Sequence, residues 1–199
     1  MELDSTYMPL LEGTEVYHEI NRATTPEAVT AVIRKTGAVM DCREKADLLA
    51  EQLDERIDII RHKLKFIPRE QRPGVLCVRD LSPTVLAHDE YLNSLIEVAG
   101  GVPYTDWDKD GFNPDILILI TDRPVPELLH ELPAVLGTRQ WAPTNAVKNN
   151  GFYLVYNTQY LRQPGAAVAD DIEILAEIIN PRYFIFGRDA DVWMPFELQ

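Results

Sequence analysis

The chain has 199 residues, 46% apolar and 26% charged, which is enough for one α/β domain with a sizeable core and too ordinary a balance for wholesale disorder. Its net charge of −13 opposes phosphate backbones and anionic lipid surfaces, so nucleic acid is not expected as a partner. No stretch approaches the roughly 18 apolar residues of a membrane span, and no membrane insertion is expected. The densest basic cluster, Lys63 and Lys65 with Arg69 and Arg72, reads as a solvated helix end and loop. Cys42 and Cys77 are the only cysteines and form neither a CxxC nor a zinc pattern. Glu2 and Asp4 stand where a secretory signal carries Lys or Arg, so a cytoplasmic location is expected for the sequence as it stands.

In chain order, Thr14 to Ile20 reads as a brief strand. Thr24-Thr25-Pro26-Glu27 then starts a helix that carries Val29, Val32 and Ile33 and stops near Gly37. The stretch from Asp41 to Lys65 dominates the chain. Leu49, Leu53, Ile57, Ile60 and Leu64 recur at helical steps, Asp41 is the expected N-cap, and nothing breaks the run before Pro68. Such a helix reaches roughly 36 Å, long enough to cross a domain or link two bodies.

After Pro73-Gly74, Val75-Leu76-Cys77-Val78 reads as a strand buried on both faces, and Asp80 to Ala87 as the loop leaving its end. A helix from His88 carries Tyr91, Leu92, Leu95, Ile96 and Ala99 on one face and ends at Gly100-Gly101. Asp115 to Ile120 is the clearest strand, Glu127 to Leu132 a short helix, and Phe152 to Tyr156 a third strand. Gly165 to Ile179 is a helix with Val168, Ile172, Leu175, Ala176 and Ile179 inward. The aromatic tail, residues 182–199, is expected to pack back onto the domain. This alternation predicts an α/β fold: a three-layer, Rossmann-like domain with a mostly parallel sheet, preceded by a long α-helix. Ligands then collect at the strands' C-terminal ends, at Arg79 to Pro83, Thr121 to Pro124 and Asn157 to Pro164.

The familiar α/β activities lack their residues. GxGxxG, GxxxxGK[ST] and GxSxG are all missing, and Ser82 has no histidine placed to complete a triad. The 4 histidines occur singly, without helical zinc spacing, and read as surface residues. Asp106, Asp108 and Asp110 lack the Glu of a calcium loop and read as a solvated acidic turn. What remains is aromatic faces and a fixed cation, Trp107 and Tyr160 with Arg162, which suit a macrocycle or chelate bearing carboxylates or amides. The alternative is that Trp107 and Tyr160 close the domain edge.

Pro73 to Val78, a Pro-bearing loop, Glu97-Val98-Ala99-Gly100-Gly101, Asn113 to Ile118, Ala146 to Asn149, Phe152 to Tyr156, Arg162-Gln163-Pro164-Gly165 and Ile172 to Ile178 follow in an order that resembles the second lobe of class III substrate-binding proteins. These serve ABC importers of cobalamin, ferric siderophores and haem, and the cobalamin branch is the most similar in pattern. Val16-Tyr17, Pro26 to Gly37 and the long helix resemble the end of the first lobe and its interlobe connector. The resemblance implies three parts: an N-terminal remnant (1–40), a connecting helix (41–68) and a binding lobe (73–199). It also implies ligand contacts from Arg79, Asp80, Leu81, Ser82, Pro83, Trp107, Tyr160 and Arg162, and permease docking by Asp108 and Asp110; Thr121 and Asp122 join the expected ligand contacts by their place at a strand end. The usual Arg after the Pro-Gly pair is Ala166 or Ala167 here.

Three functions follow. The first is a non-catalytic binding module for cobalamin or a ferric chelate, with no cofactor or metal required. It would complete its site as a homodimer through the long helix's apolar stripe, with an ABC permease as a further partner. The second is a structural or interaction protein that keeps the fold without a ligand. The third is an enzyme acting on a tetrapyrrole or metal chelate, with Asp80 and Asp122 as its only candidate acids.

Overall fold

The computed structural model describes residues 19, 22–87, 89–106, 111–157 and 159–197. The strand expected over 14–20 lies outside them except for Glu19, which pairs with Lys35 at 2.7 Å. Helix α1 (Pro26–Val39) is capped by Thr25, whose hydroxyl accepts from the Ala28 N–H, with Pro26 in the first turn where no N–H is needed. Gly37 does not end this helix. It is where α1 meets the next one: a Cβ at Gly37 would stand 2.2 Å from the Ala46 Cβ, so the absence of a side chain permits the approach.

The chain turns through Asp41, at φ 53°, into α2 (Arg43–Leu64). Cys42 rather than Asp41 holds the cap position, and it makes no side-chain capping bond. The 22 residues of α2 reach about 33 Å. Leu53, Ile57, Ile60 and Leu64 are buried together with Ala46 and Ala50, while Leu49 is half-buried. The apolar stripe therefore packs within the chain, against α1 and the last helix, and is not open for self-association.

Strand β1 (Gly74–Leu81) runs further than its apolar residues suggest. It turns at Ser82-Pro83 and returns as β2 (Thr84–Leu86). Asp80 makes the turn: its Oδ1 accepts from the N–H groups of Leu81 and Ser82 at 2.7 and 3.1 Å. Helix α3 (Glu90–Val98) is capped by Asp89, which accepts from the Leu92 N–H. There follow β3 (Val102–Pro103), β4 (Ile116–Ile120), α4 (Val125–Leu136), α5 (Asn145–Lys148), β5 (Phe152–Val155), α6 (Val168–Ile179) and β6 (Trp193–Pro195).

The sheet order is β2-β1-β4-β5-β6, with β3 beside the start of β1. The pairs β1–β3, β1–β4 and β4–β5 are parallel, whereas β1–β2 and β5–β6 are antiparallel. The expectation of a mostly parallel sheet is thus wrong: the sheet is open and mixed. Both antiparallel strands are only three residues long, too short for a visible alternation, and the Ser-Pro turn carries none of the usual two-residue hairpin glycines.

Alternation along the central strands splits the core in two. Val75, Cys77, Ile116, Ile118 and Val155 face α1, α2, α3 and α6; Leu76, Val78, Leu117, Leu119 and Leu154 face α4 and the buried Trp141. Burial pushes the Cys77 thiol up to about 12, so it behaves as a core apolar group. Polar bonds fasten the tail. Glu177, buried in α6, accepts from the N–H groups of Phe186, Gly187 and Arg188 and from the Trp193 indole. Arg56 of α2 and Arg188 of the tail both donate to Asp170 and Glu173 of α6.

Candidate functional site

The C-terminal ends of β1, β4 and β5 stand side by side because those three strands are parallel neighbours. Arg79, on β1, reaches across them. Its Nη2 donates to the Leu161 carbonyl at 3.1 Å, in the segment that follows β5. Its Nη1 is buried and, among the described residues, is the one buried side-chain nitrogen or oxygen with no hydrogen-bond partner. Burial, and next the nearby charge of Arg162, lower the Arg79 pKa; Cys77, Asp89 and Asp122 oppose the shift. A half-buried guanidinium beside a second arginine is a pair of charges that favours an anion.

Arg162 reaches Asp122 at 3.7 Å, with both side chains largely exposed, an ion pair that contributes little and yields readily to a competing anion. Thr121 is buried and its hydroxyl oxygen accepts from the Arg123 N–H at 3.2 Å, which turns the chain at the end of β4. Tyr160 is half-buried and packs against the core, one residue before Leu161. Arg79, Thr121, Asp122, Tyr160 and Arg162 therefore all lie at the strand ends.

The β1–β2 turn is occupied differently. Leu81 is a core residue whose carbonyl accepts from the Trp141 indole at 3.4 Å, and Asp80 is engaged by its own turn. Ser82 and Pro83 are exposed at its tip. Trp107, Asp108 and Asp110 lie outside the described residues.

Three residues of this region escape motif reasoning. Asp171 of α6 is 1% exposed; it accepts from the Leu161 N–H at 2.9 Å and from the Tyr91 hydroxyl at 3.1 Å. Burial pushes its carboxyl up to about 7 against the pull of those two donors. Burial and the adjacent Asp171 likewise raise the Tyr91 hydroxyl. The signal was present in the sequence: Asp171 sits three residues after Val168 and four before Leu175, on the inward face of the helix.

Elsewhere, a groove of about 380 Å³ beside the start of β1 is lined by Glu27, Arg61, Arg72 and Glu97 among others. Arg61 pairs with Glu27, and Arg72 donates to the carbonyls of Ile67 and Glu97. Among the described residues no group of three or more His, Cys, Asp or Glu could hold a metal ion, and no helix is long and apolar enough to cross a membrane.

No protein-family model matches the chain, and no curated protein matches its sequence. Solved structures do. An ABC transporter substrate-binding protein from Listeria monocytogenes is 19% identical at a TM-score of 0.64, over 79% of this chain and 65% of that one. IsdE of S. aureus, complexed with heme, is 18% identical at 0.61, over 78% and 65%. The TroA-like periplasmic binding protein FepB from Veillonella parvula is 16% identical at 0.59, over 91% and 61%. The chain thus has the fold of class III, TroA-like periplasmic substrate-binding proteins and spans less than two thirds of each of these three.

Proposed function

We propose that the chain is a non-catalytic binding module that holds an anionic metal chelate, haem or a ferric siderophore, in the loops beyond β1, β4 and β5. The pair of guanidiniums at the strand ends, half-buried Arg79 with Arg162 beside it, carries this reading, because two close positive charges, one with an unpartnered N–H group, favour an anion. The heme held by IsdE, on the same fold, supports it. Two arginines suit the carboxylates or phenolates of such chelates better than the amide rim of cobalamin. Around Arg79 and Arg162, the ligand is held by Thr121, Asp122, Tyr160 and Trp107 and by the exposed tip of the β1–β2 turn, Ser82 and Pro83. In this reading residues 73–199 are the binding lobe, 41–68 the connecting helix and 1–40 an N-terminal remnant. A permease docks near Asp108 and Asp110.

The test is titration of the full chain with haemin, ferric citrate and cyanocobalamin, followed by absorbance and calorimetry. Haemin or ferric citrate should bind, and Arg79→Gln should weaken that binding by about tenfold or more, as loss of a charge-assisted hydrogen bond does. No binding of any chelate, or binding unchanged by Arg79→Gln, refutes the proposal.

A further inference from the structure

Arg79 is aimed by a chain of hydrogen bonds that begins in the helix layer. Tyr91 of α3 donates to Oδ2 of Asp171 in α6, and Oδ1 of the same carboxylate accepts from the Leu161 N–H. The Leu161 carbonyl then accepts Nη2 of Arg79, which leaves Nη1 without a partner. Leu161 sits at φ 57°, a conformation sparsely populated by residues with a Cβ, and its side chain is 1% exposed. A backbone held there needs its surroundings to over-determine it. Core packing fixes the Leu161 side chain, Asp171 its N–H and Arg79 its carbonyl. Each of the two Asp171 carboxyl oxygens meets a donor, the Leu161 N–H at Oδ1 and the Tyr91 hydroxyl at Oδ2.

We propose that Asp171 is a positioning residue of the anion site: by holding the Leu161 peptide it fixes the Arg79 guanidinium at the strand ends, without touching the ligand itself. This rests on the strand ends being the chelate site. Asp171→Asn keeps an oxygen for the Leu161 N–H, whereas Asp171→Val removes it. Tyr91→Phe removes only the other bond to the carboxylate.

The experiment titrates haemin and ferric citrate into the full-length wild type, these three variants, Arg79→Gln and the Arg79→Gln/Asp171→Val double variant. Asp171→Asn and Tyr91→Phe should stay within about twofold of wild type, and Asp171→Val should weaken binding about tenfold, the scale of a lost charge-assisted hydrogen bond. Because Asp171 acts through Arg79, Asp171→Val should add nothing once Arg79 is gone. Additive losses, the mark of a merely structural role, overturn the proposal. So does Asp171→Val binding as wild type.

A second measurement needs neither ligand nor a folded Asp171→Val. Side-chain NMR of the wild type should show separate, slowly exchanging Nη signals for Arg79, and one averaged signal overturns the positioning role. If no chelate binds while the Nη signals are separate, the proposed function fails and the positioning of Arg79 stands.

Discussion

Asp171 also makes the pH dependence of stability calculable. Burial pushes its carboxyl from an ordinary 3.8 to about 7 in the folded chain, while the unfolded chain keeps the ordinary value. Between the two, the folded chain holds a proton that the unfolded chain has released. Folding stability from this group is therefore complete below about pH 4, falls as the pH rises, and levels off above about 7. A separation of about 3 pH units at about 1.36 kcal/mol each amounts to about 4 kcal/mol. Asp171→Asn keeps the shape and cannot titrate. Urea unfolding of both proteins from pH 4 to 8 isolates the effect, since every other carboxylate cancels in the difference. The wild type should lose about 4 kcal/mol relative to the variant across that range. A difference independent of pH, or one that favours the wild type as pH rises, refutes a neutral buried Asp171.

Glu177→Ala leaves four donors, three backbone N–H groups and the Trp193 indole, without their acceptor. It should lower stability by about 2 to 5 kcal/mol, expose the bond after Arg188 to trypsin and shift Trp193 emission to the red; unchanged digestion would count against the pin. On the long helix, Ile57→Ala should lower stability by about 2 to 5 kcal/mol and Ile59→Ala by less than about 0.5, because Ile57 is 1% and Ile59 56% exposed. Similar melting shifts in both would mean that the buried face has been misidentified.

The long helix and the central strands were legible because their signals are local and redundant. Five apolar residues at helical steps, or an unbroken Ile-Leu run, outvote any single neighbour. The ends of elements were not. Whether Thr24 or Thr25 caps α1 depends on which hydroxyl meets an N–H, and Gly37 reads as a stop until Ala46 is placed against it. The sheet's mixed character rests on two three-residue strands, and each forms only because a longer strand offers an edge. At the candidate site, Arg79 and Arg162 could be named from their place after apolar runs; Asp171 shows as an acid on the inward face of its helix, but not its partners, 80 and 10 residues away.

Periodicity and composition by themselves settled an α/β chain with a long amphipathic helix and buried central strands, since each follows from residues near one another in sequence. Tertiary structure alone decided that the helix's stripe is covered, that the sheet's outer strands run backwards, and that one guanidinium is left with a free donor. Those depend on which distant groups meet once water is excluded, and a lost or spare hydrogen bond becomes visible only when every neighbour is in place.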